Sequence, residues 1–315
     1  MDLSIIIPVY NNAATLAELV RRIDAALEGR GLAHEIILVN DGSRDGSWPL
    51  IGELCRARTH VVGVNFTRNF GQHAGIKAGL AYARGGKIVL MDADLEDEPE
   101  RIPAMLEAMT DDVDCVYTVV GANRRRWTSQ VFHAFAGRFT RSEAPAGVGT
   151  MRLFSRRFRD ALMKFPERRP VWGPIMHALG FRHKVISLPD TGPRSRSSYN
   201  LAKRARLAMD FMIANTSAPF SVIFFVAFAL FAISIGYALV ILAQYLFFDA
   251  TAPSGVALIA FLIAVLFGFN FLFLAVMGLY VHRVMVETLG RPVFVVSEAL
   301  NAARDILTDR EEVRT

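Results

Sequence analysis

The densest chemistry in the chain lies in the run DADLEDEPE, residues 92–100, where Asp92, Asp94, Glu96, Asp97 and Glu98 crowd together. Asp92 and Asp94 end the apolar stretch KIVLMDAD, and alternate residues of a strand point to the same side. Two carboxylates on one side of a strand end make an oxygen site for a hard cation. Mg²⁺ or Mn²⁺ held by one or two carboxylates plus substrate phosphates is the usual arrangement. Glu98 and Glu100 flank Pro99 and fit equally well as acids favoured by a helix N-terminus. Asp92 and Asp94 precede that helix and abut the core, so the helix does not account for them. Asp97 is a further carboxylate, able to serve as a base. The second polar cluster is VNDGSRDG, residues 39–46, in which Asp41 and Gly42 follow an apolar strand and Ser43 or Asp45 is placed to cap a helix. A turn explains its glycines without any function. Among the basic residues, the run Arg124, Arg125 and Arg126 reads as a solvated face. Arg152, Arg156 and Arg157 stand ahead of the membrane-proximal part of the chain, and arginine binds phosphate bidentately. Arg194 and Arg196, between Gly192 and Ser197, suit a mobile loop or plain solubility. His73, His133, His177 and His183 show no metal-ligand spacing.

These clusters need elements to hold them. LSIIIPVY, EIILVN, HVVGVNF, KIVLMDAD and DCVYTVV read as five strands. Between them, helical periodicity runs over 14–27, 47–58, 73–83 and 98–109. Near-continuous apolar strands alternating with helices imply an α/β fold, with a mostly parallel sheet covered on both faces. In such sheets ligands bind beyond the carboxyl ends of the strands. The polar clusters YNN, NDGSRDG, TRNFGQH and DADLEDEPE fall at those ends.

The chain has 315 residues, 52% hydrophobic and 21% charged, with a net charge of +5. Its mean hydropathy is +0.31 and its pI about 9.4. It is too apolar to be disordered, and two cysteines exclude a disulfide framework. The basic balance points to an anionic partner: nucleic acid, phosphorylated small molecules or an anionic membrane. No basic stripe with interleaved aromatics appears, which disfavours nucleic acid.

The apolar excess is concentrated. Residues 211–248 and 250–281 carry no Asp, Glu, Lys or Arg, with Asp249 between the two runs. Each exceeds the roughly 20 residues a helix needs to cross a bilayer. Two spans are expected near 221–247 and 256–281, a buried helical hairpin being the alternative. Lys203, Arg204 and Arg206 precede the first, and His282, Arg283 and Arg291 follow the second. The connecting loop has no Lys or Arg. The positive-inside rule then places both termini in the cytoplasm. The run ending at Pro8 is too short for a signal peptide. Residues 200–215 read as an amphipathic helix lying in an anionic leaflet.

In order and spacing, IIIPVYNN, ILVNDGSRDGS, TRNFGQHAGIKAGL and VLMDADLEDEPE resemble the family-2 glycosyltransferases of GT-A fold. With two C-terminal spans the chain resembles, more narrowly, the polyisoprenyl-phosphate glycosyltransferases. That group includes dolichyl-phosphate mannose synthase and bacterial enzymes acting on undecaprenyl phosphate. The match is strong over 2–109 and weaker through GTMRLFSRRF, ALGFRHKVISLP, SRSSYNL and GRPVFVV. The resemblance implies a Rossmann-like GT-A domain over 1–198, an interfacial helix over 199–216, two transmembrane helices within 219–283 and a cytosolic tail over 284–315. It implies that Pro8, Tyr10 and Asn12 line the nucleotide pocket, that Asp41 recognises the base, and that Gly71 and Gln72 lie beside the nucleotide. Asp92 and Asp94 become the DxD pair, with Asp94 the direct metal ligand. Glu96 stands where the family carries a metal-binding Gln, and Asn12 where it often has Glu. Arg152 and Arg156 match positions that steer the lipid phosphate, and Tyr199 leads to the membrane. The acid usual shortly before FRL is absent from GVGTMRL.

The expected activity is inverting transfer of a sugar from a nucleotide-diphosphate donor, UDP favoured over GDP, to a polyprenyl phosphate. It would take place at the cytoplasmic face of the inner membrane, with Mg²⁺ or Mn²⁺ as cofactor. By resemblance the protein is a homo-oligomer, a tetramer. The rival readings are transfer to a hydroxyl of a lipid-linked saccharide, or a non-catalytic scaffold or flippase partner.

Overall fold

The structure is a computed structural model that describes residues 1–120, 148–165, 179–188, 255–289 and 292–302, with residues 176, 226, 229, 233 and 236 singly. The chain divides into two compact units. The first holds residues 1–137, 141–198 and 292–315, and the second holds 138–140 and 199–291.

The first unit is built on one eight-stranded sheet. Its first half alternates β1 (Leu3–Val9), α1 (Ala13–Leu27), β2 (His34–Asn40), α2 (Ser47–Ala57), β3 (Val61–Phe66), α3 (Gln72–Tyr82) and β4 (Lys87–Leu90). A 3₁₀ turn over Pro99–Arg101 leads into α4 (Ile102–Ala108), and β5 (Cys115–Val120) follows. Then come β6 (Val148–Ser155), α5 (Arg156–Met163), β7 (His183–Leu188) and, after the excursion into the second unit, β8 (Val296–Leu300).

The strand order is β7-β5-β6-β4-β1-β2-β3-β8. Strands β4, β1, β2 and β3 are mutually parallel. The sheet as a whole is mixed, because β6 runs antiparallel to both β4 and β5, and β8 antiparallel to β3. Six of the eight strands still point the same way, as expected of a mostly parallel sheet, and β6 and β8 are the two that run against them. Charged or polar residues interrupt β6, β7 and β8, so none of them reads as a continuous apolar run.

Alternation along β1 explains why the sheet is buried on both sides. Leu3, Ile5, Ile7 and Val9 join one core cluster with Leu16, Leu19, Val20 and Ile23 of α1. Ile6 faces the other, with Val39, Val64, Ala78 and Leu80. The α1 positions recur every three or four residues, which is one face of a helix. Helix α3 lies unusually close to β1, and a Cβ on Gly79 would stand 2.2 Å from Cγ2 of Ile6. That close approach sets where the start of α3 emerges.

Strand β8 occupies the segment expected to be a tail. Gly63 pairs with Leu300 and Asn65 with Glu298, and Thr67 N–H donates to Val295 O at 3.1 Å. Phe66 and Phe294 stack with ring centroids 5.1 Å apart. Asn301, at φ 56°, donates its side-chain amide to Cys55 O at 2.7 Å and Val61 O at 2.9 Å.

In the second unit, α6 (Gly255–Thr288) has 34 residues, about 51 Å of helix. Among its described side chains, Ile259, Ile263, Phe267, Phe271, Leu274 and Val281 are exposed. Counted over the described residues alone, no helix is long and apolar enough to cross a membrane. The first expected span, apart from four single residues, and the amphipathic helix over 200–215 lie outside the described residues, as do many side chains of α6.

Candidate active site

The strand order reverses at β1. From β1 the chain steps to β2 and β3 on one side, then returns to β4 on the other. A crevice opens beyond the carboxyl ends of the strands at such a reversal. The loops that meet there are residues 10–12 after β1 and 91–97 after β4. Thr15 Oγ1 ties them together, donating to Ala93 O at 2.6 Å.

The loop after β2 is stitched to the loop after β1. Asn11 N–H donates to Ser43 Oγ at 3.0 Å, Asn12 N–H to Ser47 Oγ at 3.2 Å, and Ala13 N–H to Asp45 at 2.9 Å. Pro8 pairs in register with Val39, and Tyr10 stands exposed at the rim. Asp41 is buried, and its two oxygens accept Phe70 N–H at 2.6 Å and Gly71 N–H at 2.8 Å. Burial raises its carboxyl above the ordinary value, and the two N–H groups oppose that rise. In this geometry Asp41 holds the loop after β3, with both oxygens engaged. Gly42, at φ +65°, lies under that loop; a Cβ there would stand 2.6 Å from Arg68 C and from Asn69 N.

The held loop delivers Gln72, whose amide donates to Asp92 Oδ1 at 2.7 Å. Asp92 titrates at about 6, raised first by burial and then by the charges of Asp97 and Asp94. Asp97 is buried, and its Oδ2 accepts Asp92 N–H at 3.0 Å and Thr150 Oγ1–H at 2.9 Å. Burial raises Asp97 as well. Asp94 is exposed, and its Oδ1 accepts Glu96 N–H at 3.0 Å. Glu96 is exposed too. The oxygens of Asp92, Asp94 and Glu96 do not gather at the mutual spacing of a three-ligand cation site among the described residues. The donor set is nonetheless all oxygen and anionic, and burial first, then repulsion from Asp97 and Asp94, raises Asp92. A divalent cation relieves that repulsion, so the residues fit one bound through Asp92 and Asp94 with phosphates completing its shell.

The structure separates the two expected phosphate-steering arginines. Arg152 pairs in register with Leu90, at the carboxyl end of β4. Its guanidinium lies 5.7 Å from the centroid of the Tyr117 ring. Arg156 follows Ser155, which pairs with Lys87 at the opposite end of β4. Its guanidinium donates to Arg84 O at 3.3 Å. A strand advances about 3.3 Å per residue, so four positions along β6 carry the chain roughly 13 Å away from the crevice. Tyr199 lies outside the described residues. Thr15 and Thr150 are contributors that sequence reasoning missed. Thr150 stands in the GVGTMRL stretch noted above for its missing acid, and nothing local ties it to Asp97.

An open α/β sheet with a carboxylate cluster at its topological reversal is the architecture of a GT-A-type sugar-transferring enzyme. The profile of glycosyl transferase family 2 matches residues 4–163, and the chain belongs to that family: it is a glycosyltransferase. It is 34% identical over 307 residues to the undecaprenyl-phosphate 4-deoxy-4-formamido-L-arabinose transferase of Pseudomonas fluorescens (strain SBW25), covering 94% of this chain and 89% of that protein. It is 32% identical to the enzyme of the same name from Sodalis glossinidius (strain morsitans), covering 92% and 91%. Among solved structures, a mannosyltransferase from Pyrobaculum calidifontis in complex with GDP-Man and Mn²⁺ is 19% identical at TM-score 0.48, covering 91% of this chain and 87% of that one.

Proposed function

We propose that this glycosyltransferase moves a sugar from a nucleotide-diphosphate donor to a polyprenyl phosphate at the cytoplasmic face of a membrane. The observation that carries the reading is the relationship to enzymes named as undecaprenyl-phosphate sugar transferases. It runs over nine-tenths of the chain and so takes in the apolar runs as well as the sheet. Three further points support it. Residues 250–281 carry no charged side chain, and α6 exposes Ile259, Phe267 and Phe271. The chain leaves the first unit after Ser198 and returns to it at Pro292. An excursion that starts and ends at one unit crosses a bilayer an even number of times, as two spans with both termini cytoplasmic require.

The acceptor phosphate oxygen attacks the anomeric carbon as the bond from that carbon to the diphosphate oxygen breaks, inverting the centre and releasing the nucleotide diphosphate. Asp92 and Asp94 would hold a Mg²⁺ or Mn²⁺ ion, which would neutralise charge on the departing diphosphate. Gln72 fixes Asp92, and the Asp41-held loop fixes Gln72. Arg152 is the cation placed to hold the acceptor phosphate in line. A phosphate monoester with a second pKa of roughly 6 is largely dianionic at pH 7 and needs no base to activate it.

The test offers the purified full chain, with UDP- and GDP-sugars, either undecaprenyl phosphate or a pyrophosphate-linked lipid saccharide. Transfer to the phosphate that a chelator abolishes and Mg²⁺ or Mn²⁺ restores is expected. Transfer only to the saccharide would overturn the acceptor and make Asp97 a base.

A further inference from the structure

A second cluster of titratable side chains lies at the opposite pole of the sheet, outside everything the sugar-transfer reading uses. Asp24 projects from α1, His34 opens β2 and His60 directly precedes β3. Strands β2 and β3 are parallel, with Ile36 paired to Val61, so both imidazoles enter at the amino ends of neighbouring strands. From the carboxylates beyond the far ends of these strands they are separated by about the length of β2, roughly 20 Å.

The three side chains converge on one point. His60 Nε2 lies 2.9 Å and His34 Nε2 3.4 Å from the same oxygen, Asp24 Oδ1. The three potential ligand atoms all lie within 4.8 Å of one another. Ligand atoms about 2.1 Å from a tetrahedral zinc stand roughly 3.4 Å apart, so shifts of under about an ångström bring all three into a first coordination shell. The other carboxylate oxygen, Oδ2, accepts Arg58 Nε–H at 3.2 Å. That bond orients the carboxylate and leaves Oδ1 turned toward the imidazoles, the kind of outer support that metal-bound carboxylates receive. The positive charge of Arg58 opposes a cation, and Asp24 offsets it. The site opens to solvent through a hollow also lined by Arg21 and Glu28, which leaves room for water to complete the coordination. Arg21 is itself paired with Glu18 at 2.6 Å.

We propose that Asp24, His34 and His60 bind a divalent transition-metal ion of the imidazole-preferring class, represented by Zn²⁺ or Co²⁺. Two imidazoles and one carboxylate select such ions over Mg²⁺, which takes oxygen ligands. The bound ion ties α1 to the starts of β2 and β3, far from the chemistry. It is a structural clamp, separate from the cation at Asp92 and Asp94.

The experiment uses the full chain, free of any polyhistidine tag, stripped with chelator and returned to saturating Mg²⁺ so that the acidic site is filled. Zn²⁺ is titrated calorimetrically, and Co²⁺ is followed by its visible ligand-field absorption. One Zn²⁺ per chain, a Co²⁺ band with nitrogen ligation and a thermal midpoint raised by about 5 °C are expected. His34→Gln and His60→Gln should each weaken Zn²⁺ binding on the order of a hundredfold and abolish the Co²⁺ band. Absence of both Zn²⁺ binding and the Co²⁺ band in the wild-type protein overturns the proposal, whatever the variants do. Unchanged Zn²⁺ binding in both variants overturns it as well.

Discussion

Gly42→Ala tests whether the loop beside the acidic cluster is held from below. The new Cβ would stand 2.6 Å from Arg68 C and from Asn69 N, where ordinary contact begins at 3.4 Å, so the peptide above must retreat by about 0.8 Å. Overpacking of this kind costs about 1–3 kcal/mol. Alanine at φ +65° adds about 1–2 kcal/mol. For a unit of this size each kcal/mol moves the midpoint by about 2–4 °C, so a loss of roughly 5–15 °C is expected. The displaced peptide leads directly into Phe70 and Gly71, which Asp41 holds, and then to Gln72 on Asp92. Affinity for a nucleoside diphosphate in the presence of Mn²⁺ should therefore fall together with stability. Gly46→Ala is the internal control. Gly46 sits at φ +88°, and a Cβ there meets nothing within 4 Å, so it carries the backbone cost without the collision. Thermal unfolding and nucleotide titration of the three proteins in the same detergent decide the matter. Equal losses from both substitutions, or a Gly42→Ala protein within a degree of wild type, would refute the contact argument.

Asp94→Asn should remove turnover while leaving the unfolding midpoint within about 2 °C, since the side chain is exposed; activity assays alongside scanning fluorimetry check both halves. In metal-free protein, Asp92 titrates near 6 when folded against about 3.9 when unfolded. The folded state therefore binds the extra proton, and stability falls as pH rises from about 4 through about 6 and stays lower above that. Mn²⁺ affinity should move the other way, weakening as pH drops below 6, which calorimetry at pH 5, 6 and 7 would register. Thr150→Val should cut turnover by unseating Asp97, and Thr150→Ser should restore it; a silent valine variant would remove Thr150 from the site. Asn301→Ala should lose about 2–3 kcal/mol in denaturant unfolding, because it strips the amide bonds from the half-buried carbonyls of Cys55 and Val61 and leaves alanine at a positive φ.

The parts of this fold legible in the sequence are those whose partners are local. Strands β1 to β4 are buried on both faces and read as unbroken apolar runs. The helices between them announce themselves by period, as in Leu16, Leu19, Val20 and Ile23. The carboxyl-end rule then places Asp92, Asp94 and the loop carrying Gln72 around one crevice. Strands β6 and β8 were illegible for opposite reasons. Arg152 interrupts the first, and the second is a short edge with Glu298 exposed. Without β6 the antiparallel reversal leaves no trace in the sequence, and neither does the placing of Arg152 and Arg156 at opposite ends of β4. Asp97 with Thr150, and His34 with His60, are brought together by strand pairing, and Asp24 by the packing of α1 on the sheet, neither of which leaves a mark on the residues themselves.

Strand β8 also sets an order on the life of the protein. It hydrogen-bonds to a strand 232 residues earlier, as Ser297 does to Asn65. At translation rates of about 5–20 residues per second, β3 waits on the order of ten seconds or more with its edge open. During that interval the ribosome is delivering both apolar runs. An open edge recruits strands from other chains, so the nascent sheet needs shielding until its last strand arrives. A gene fragment ending at residue 198 would never supply that strand. Synthesis of the apolar runs and completion of the catalytic sheet are therefore steps of one process, and the sheet gains its last strand only after the chain has come back from the second unit.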